Sequence, residues 1–380
     1  MKPDSSAALF EFFCGAGMAR LGLSPAFSCV FANDISAAKG RAYAAAHGSQ
    51  HLRVADVWTL NACDLPGRAA LAWASSPCQD LSAAGRRAGL SAARSGAFWG
   101  FWRLMRQLHA EGRAPRVIVV ENVKGLFTSH GGRDFDAIAA AMAAEGYAVG
   151  AVELDAAWFL PQSRPRAFIV AALQPPQALI AAGPSGPAHS RAVIEAARML
   201  SPTSAAAWRW WRLPAPPRRN TALIDVLEPA DTVRWRSSEE TAALLAMMAT
   251  PQRRKLAALQ QSGELAIGAG FRRVRSAGGE KHQRFEVRFD GLAGCLRTAG
   301  GGSSRQFLLE VHGERLRSRL LTARESARLM GLPEEFPLPE GTMAALHLTG
   351  DGVAVPVARF LGDFLLAPLA GLSAQARTAS

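Results

Sequence analysis

Short apolar runs alternate with amphipathic stretches through the first 172 residues. The runs Ala8–Phe13, Phe27–Ala32, Leu52–Ala55, Leu71–Ser75, Val117–Val120, Ala148–Leu154 and Ala167–Ala172 have strand-like length and composition. Helical spacing of apolar positions fills the gaps, as in Phe98–Leu108 and Phe135–Glu145. Such alternation predicts an α/β fold, a Rossmann-like, mostly parallel sheet with helices on both faces. Ligands of such sheets bind beyond the carboxyl ends of the strands. Cys14, Asp34, Asp56, Cys78 and Glu121 all fall at strand ends of this kind, and their shared placement says more than any one of them.

The rhythm stops after Leu173. Gln174-Pro175-Pro176, Gly183-Pro184-Ser185-Gly186-Pro187 and Pro214-Ala215-Pro216-Pro217 punctuate the next stretch of chain. Regular patterning returns near Leu320, with a helix over Ala323–Met330 opened by Thr322 as N-cap and a last helical run over Val355–Leu366. The expected organisation is a first domain over 1–174, a smaller, irregular domain over 175–312, and a C-terminal segment, 313–380, returning to the first.

Charge sharpens this division. The formal net charge is +12, and Pro175–Glu310 holds 19 Lys and Arg against 11 Asp and Glu, so the irregular segment carries most of the surplus. A surplus of this size suggests a polyanionic partner, most simply nucleic acid, although some proteins are basic for no specific reason. Cys14, Cys29, Cys63, Cys78 and Cys295 are scattered, odd in number and free of any CxxC pair. That pattern argues against a disulfide framework or a metal site and for a reducing compartment. No apolar run reaches the roughly 20 residues needed to span a bilayer, and the N-terminus lacks the shape of a secretory signal. A soluble, cytoplasmic, nucleoid-associated monomer without metal or membrane attachment is expected.

Two strand ends carry the candidate chemistry. Pro77-Cys78-Gln79 follows one strand and Glu121-Asn122-Val123 ends the next. A thiol and a carboxylate so placed can grip one small planar ring, the thiol attacking a ring carbon and the acid bonding the polar edge. Cysteine suits the attack because it is strongly nucleophilic and a few per cent thiolate near neutral pH. Taken singly, each residue also reads as a buried structural cysteine or an ordinary strand-end acid.

Phe13-Cys14-Gly15-Ala16-Gly17 follows the first strand and opens a helix. Glycines there let a ligand approach the backbone, though a tight strand-to-helix turn needs them too. Asp34 can take the hydroxyls of a ribose, and Asp56 can accept from an adenine amino group. Three such ends in order favour an adenosine-containing cofactor. The missing third glycine of a dinucleotide fingerprint argues against NAD.

With these residues in place, the chain resembles the bacterial DNA cytosine-C5 methyltransferases over most of 8–173 and 317–362. Glu11–Gly17 is similar to the family's first motif, with Glu11 for the usual Asp and Met18 for the usual final Gly. Ser76-Pro77-Cys78-Gln79-Asp80-Leu81-Ser82 resembles the nucleophile motif, Glu121-Asn122-Val123 the ENV, and Gln162-Ser163-Arg164-Pro165-Arg166 the QxRxR. Arg319–Glu325 with Arg328–Gly331 resembles the ninth motif, and Gly350–Pro356 the tenth, where Asp351 replaces the usual Asn.

The resemblance implies a class I fold that binds S-adenosyl-L-methionine. It places Phe13 against the adenine, Asp34 on the ribose and Asp56 at the adenine amino group, with Ile35 and Val57 also at the cofactor. Cys14, Gly15, Ala16, Gly17 and Pro77 would lie along the cofactor, and Asp351, Gly352 and Val353 would return to it. It implies catalysis by Cys78, Glu121, Arg164 and Arg166. Arg164 would contact the cytosine O2, and Arg166 would buttress Glu121. Asp80–Gly96 is read as a loop that closes on DNA, with Gln79, Ser82, Arg86, Arg87 and Arg94 as contacts.

In the basic segment, Arg297, Thr298, Gly300, Gly301, Ser303 and Arg305 fit a close approach to double-stranded DNA, with a hairpin turn as the plainer alternative. Arg218-Arg219, Arg253-Arg254-Lys255 and Arg272-Arg273 can neutralise phosphates or simply face solvent. Trp208-Arg209-Trp210-Trp211-Arg212 reads better as core than as a DNA contact. The expected enzyme is a site-specific DNA cytosine-C5 methyltransferase of the restriction-modification type. An RNA cytosine-C5 methyltransferase and a silent DNA-binding protein of the same fold are the alternatives.

Overall fold

The computed structural model describes residues 6–77, 96–277, 280–298 and 305–372. The chain forms two compact units: Met1–Asp155, Pro165–Pro216 and Val355–Ser380 make one, and Ala156–Arg164 with Pro217–Ala354 make the other.

The first unit is built on a seven-stranded sheet of β1 (Ala7–Phe12), β2 (Phe27–Asp34), β3 (Leu52–Val54), β4 (Leu71–Ser75), β5 (Val117–Val123), β6 (Ala148–Asp155) and β7 (Pro165–Ala172). The order is β3-β2-β1-β4-β5-β7-β6. Pairings from β3 through β5 are parallel, and β7 runs antiparallel to both neighbours. Strand order reverses between β1 and β4, so the connections leaving their carboxyl ends diverge and open a crevice. The buried runs Leu9–Phe12 and Val117–Asn122 are continuous because helices cover both faces of the sheet.

Helices α1 (Met18–Leu23), α2 (Ala37–His47), α3 (Ala97–Ala110) and α4 (Arg133–Ala144) connect the strands. Ser36 caps α2 by accepting from Lys39 N, and α3 buries Phe98, Phe101, Trp102, Leu104, Met105 and Leu108. These elements match the predicted α/β order within two residues at each end, except that β5 runs three residues further, to Val123.

Residues 175–216, expected in the second domain, belong to the first unit. Helices α5 (Arg191–Arg198) and α6 (Pro202–Ala207) and the strands β8 (Ile180–Ala181) and β9 (Trp210–Trp211) extend this unit beyond β6. Arg209 N donates to Val149 O at 2.7 Å, and the fully buried Trp211 donates from Nε1 to Val170 O at 3.1 Å. Gly150 makes this possible, since a Cβ there would lie 2.2 Å from Arg209 O and 2.5 Å from the Trp211 ring. The tryptophan-rich segment is thus core.

The second unit carries an antiparallel sheet, β11-β10-β12-β13, formed by β10 (Ala266–Ala277), β11 (Glu280–Arg288), β12 (Gln306–His312) and β13 (Arg315–Leu320). Helices α7 (Ser238–Ala246) and α8 (Thr250–Ser262) contribute Leu244 and Leu256 to a core with Phe285, Val287, Phe307 and Leu309. Helix α9 (Ala323–Arg328) opens on Thr322 in a capping box with Glu325. Burial pushes the Glu325 carboxyl up, but the bidentate Arg319 guanidinium and the Thr322 and Glu228 N–H groups prevail and hold it below its usual range.

Helix α10 (Thr342–Asp351) closes this unit. The chain re-enters the first unit at α11 (Val355–Leu361), where Gly22 of α1 lies so close that a Cβ would meet Val355 O at 2.5 Å. The return therefore begins at Val355, not at 313 as expected. The interval Thr342–Leu369 holds an 18-residue window apolar enough to pass for a membrane span (mean hydropathy 1.5), but it packs as a core segment. That window is 67% buried, as in core helices, and the helix is interrupted at Gly352–Ala354.

Candidate active site

The loop after β1 is wound tightly. Phe13 (φ 54°), Gly15 (φ 55°) and Gly17 (φ 72°) all adopt the left-handed region. For a phenylalanine this conformation is uncommon and marks local strain of the kind functional loops hold. Gly17 is doubly required, because a Cβ there would sit 2.6 Å from the His47 ring. Gly15, by contrast, faces open space. Asp34, at the end of β2, fastens this loop: Oδ2 accepts from Gly15 N at 2.9 Å and Oδ1 from Ser36 N at 2.8 Å. Each oxygen keeps a further lone pair for a hydroxyl.

Cys14 is buried, and burial pushes its thiol well above its usual range, with Glu11 and Asp34 adding to the effect. It behaves as a small apolar residue. Ala16 is also buried, and its carbonyl meets His47 Nε2 at 3.1 Å. Ile35 is 69% exposed at the mouth of β2. Asp56 is exposed after β3 and accepts from Trp58 N at 3.0 Å, capping a short turn. Val57, expected at the cofactor, is buried in the core with Phe10, Phe12 and Phe101. Trp58, absent from the residues the motifs single out, is 49% exposed two residues after Asp56. An aromatic two residues after a strand-end acid was the available signal.

Glu11 is buried on β1. Oε1 accepts from Arg20 N at 3.2 Å, while Oε2 has no hydrogen-bond partner among the described residues. Burial, only partly offset by Arg20, pushes the carboxyl up to about 8 from a usual 4.5. The folded state thus holds a proton that the unfolded chain releases above about 4.5, so stability falls as pH rises from there towards 8. At pH 7 the cost is about 3 kcal/mol. Glu11→Gln should melt like the parent near pH 4 and at a higher temperature at pH 8. Parallel melting curves across that range would refute it.

Glu121 lies two residues before the end of β5, directly opposite Ser75, the last residue of β4. Its Oε1 lies 3.2 Å from Arg166 Nε, with both side chains nearly buried. Arg166 arrives there because β7 inserts between β5 and β6. Asn122 ties the two strand ends: Nδ2 donates to Ser76 O at 3.3 Å, and Oδ1 accepts from Val123 N. Pro77 follows at the described edge of β4. Cys78, Gln79, Ser82, Arg86, Arg87 and Arg94 lie outside the described residues, as do Gly300, Gly301 and Ser303.

Arg164 belongs to the second unit, where its buried guanidinium clasps loops of that unit. Nη1 donates to Leu296 O (2.9 Å) and Cys295 Sγ (3.4 Å), and Nη2 to Gly350 O (2.9 Å) and Gly352 O (2.7 Å). Both terminal nitrogens are therefore fully engaged. Asp351 accepts from the Thr298 hydroxyl, so a residue expected at the cofactor and one expected at DNA meet each other. Gly350 permits this crossing, since a Cβ would come within 2.6 Å of the Arg297 and Thr298 backbone. Val353 is buried, and Arg297 and Arg305 line one small cavity of about 20 Å³ with Leu346 and Thr349.

The C-5 cytosine-specific DNA methylase family matches residues 7–366. The chain belongs to that family. This methylase is 26% identical over 369 residues to the Type II methyltransferase M.NlaX of Neisseria lactamica, covering 96% of this chain and 98% of that protein. It is 23% identical to M.HhaI of Haemophilus parahaemolyticus, covering 92% and 91%. The crystal structure of S. pombe Dnmt2 methyltransferase aligns with a TM-score of 0.56 at 20% identity, over 95% of this chain and 98% of that one, and shares the fold. As an enzyme, this methylase is a DNA cytosine-C5 methyltransferase.

Proposed function

We propose that this methylase modifies specific sites in duplex DNA, moving a methyl group from S-adenosyl-L-methionine to C5 of a cytosine flipped out of the stack. The observation that carries this reading is the Glu121–Arg166 pair at the end of β5, opposite the strand that leads into Pro77-Cys78. The cofactor supplies an electrophilic methyl on a sulfonium. The strained loop with Gly15 facing open space, the two strand-end acids Asp34 and Asp56, and the exposed Ile35 and Trp58 suit an adenosine-bearing group.

Cys78 adds through sulfur to C6, which makes C5 nucleophilic. After C5 gains its methyl group, loss of the C5 proton and expulsion of the thiolate restore the aromatic ring. A base in a duplex hides C6, so extrusion comes first, at a cost of a few kcal/mol. Glu121 holds N3 and the exocyclic amine, which stabilises the protonated ring and disfavours thymine, whose N3 carries its own proton. Arg166 keeps Glu121 oriented and balances its charge. With its terminal nitrogens engaged on three carbonyls and a sulfur, Arg164 braces those loops in place of holding the ring oxygen O2.

Base-resolution 5-methylcytosine mapping of DNA from cells expressing the chain tests the reading. Modification at a recurring short sequence is expected. Unmodified DNA together with methylated RNA would move the substrate to RNA.

A further inference from the structure

The β10–β11 ribbon of the second unit carries an arrangement that sheet energetics disfavour. Arg273 and Arg284 stand directly opposite each other in the ladder. Like charges so placed destabilise an antiparallel pair. Arg275 follows on the same face, and the exposed Arg297 shares the Phe271 ring with Arg273, their guanidinium carbons 6.0 and 5.7 Å from its centroid.

Among the described residues, one carboxylate answers these four guanidiniums on this face. Glu286 takes Arg275 in a bidentate pair at 2.5 and 2.8 Å and lies 3.4 Å from Arg273 Nε. His282, opposite Arg275, is itself 3.4 Å from Glu280 at the ribbon's end, beside Lys281. Among the described residues the Arg284 side chain makes no hydrogen bond or ion pair. Burial, followed by the charge of Arg297, holds Arg273 below its usual range. The opposite face of the ribbon is occupied differently: Phe285 and Val287 are in the core, and Arg272 packs over Phe307.

We propose that Arg273 and Arg284, flanked by Arg275 and Arg297, form a phosphate clamp by which this ribbon grips the backbone of the target duplex. This rests on the reading of the chain as acting on DNA. A cluster of four guanidiniums answered by one carboxylate is costly in the free protein and becomes favourable once a polyanion is docked, which is the signature of a binding surface and not of a folding element. Phosphate is favoured over base edges because four guanidiniums against one carboxylate leave a positive surplus that phosphates neutralise, whereas a guanine edge, which arginine can also bond, carries no charge. The amide that could read adenine, Gln283, pairs with Val274 on the opposite face. Arginine also suits phosphate through paired N–H donors.

The test uses the full-length protein with S-adenosylhomocysteine and a fluorescent random-sequence 30-base-pair duplex, titrated between about 50 and 200 mM salt. The Arg284→Gln variant should lower the slope of log K against log salt by about one, and Arg273→Gln with Arg284→Gln by about two. Affinity at the lowest salt should fall at least tenfold in the double variant, with the melting temperature unchanged or raised. A merely structural role would lower the melting temperature instead, and that result overturns the clamp. So does a parental slope in both variants, or a loss confined to the methylated sequence, which would mean base reading. Parental protein that neither binds nor methylates DNA would instead sink the functional reading, before any variant is compared.

Discussion

Cys78→Ser should lose methyl transfer by about a thousandfold or more, with duplex binding retained. A free cysteine at neutral pH is already a few per cent thiolate, whereas a serine hydroxyl offers almost no alkoxide and no soft, polarisable nucleophile. Every later step depends on the C6 adduct, so no partial route at C5 remains. Transfer of a tritiated methyl group measures the loss. Covalent trapping on 5-fluorocytosine duplex measures it independently, because fluorine at C5 blocks the final proton loss and strands the adduct. Near-normal methylation by the serine variant would end the covalent mechanism while leaving the fold and family untouched.

Glu121→Gln should reduce kcat by about 10²- to 10⁴-fold and lower stability as well. The chemical loss arises because an amide cannot share a proton with N3 as ionisation of the ring shifts. The structural loss arises because Arg166, nearly buried and 3.2 Å away, would keep its charge without a counter-ion. Removing one member of such a pair costs about 3 kcal/mol or more. The double variant Glu121→Gln with Arg166→Met separates these effects. Its melting temperature should recover towards the parent while its turnover stays low. Recovery of both together would make Glu121 a packing residue alone.

The buried acid at Glu11 and the acid at Glu121 show how environment divides one chemistry. Glu121 has a guanidinium partner, whereas Glu11 meets a backbone N–H and leaves one oxygen without a partner among the described residues. The first is suited to act as a charged acceptor, and the second sits protonated in the neutral range.

Much of the site was legible along the chain because it lies on local features. Strand ends announce themselves where an apolar run stops at Asp34, Asp56 or Glu121, and the glycine loop does so where Phe13–Gly17 breaks the first run. The helix start at Thr322 followed from its N-cap side chain, and the structure adds Glu325 to make a capping box. Domain limits were harder. Prolines after Leu173 signalled irregular backbone, yet irregular backbone can still be packed against β6, as Trp208–Trp211 is.

Local pattern was enough to set the α/β order and to gather the candidate residue types at one end of the sheet. Hydrophobic period and chain punctuation are readable without knowing which strand pairs with which. Folding in three dimensions was needed for β7 to slip between β5 and β6 and bring Arg166 to Glu121 across 45 positions of chain. It also turned Arg164 onto the carbonyls of distant loops, buried Val57 and set Arg273 opposite Arg284. Those outcomes depend on pairing partners and register, which long-range packing selects and which a one-dimensional pattern does not contain.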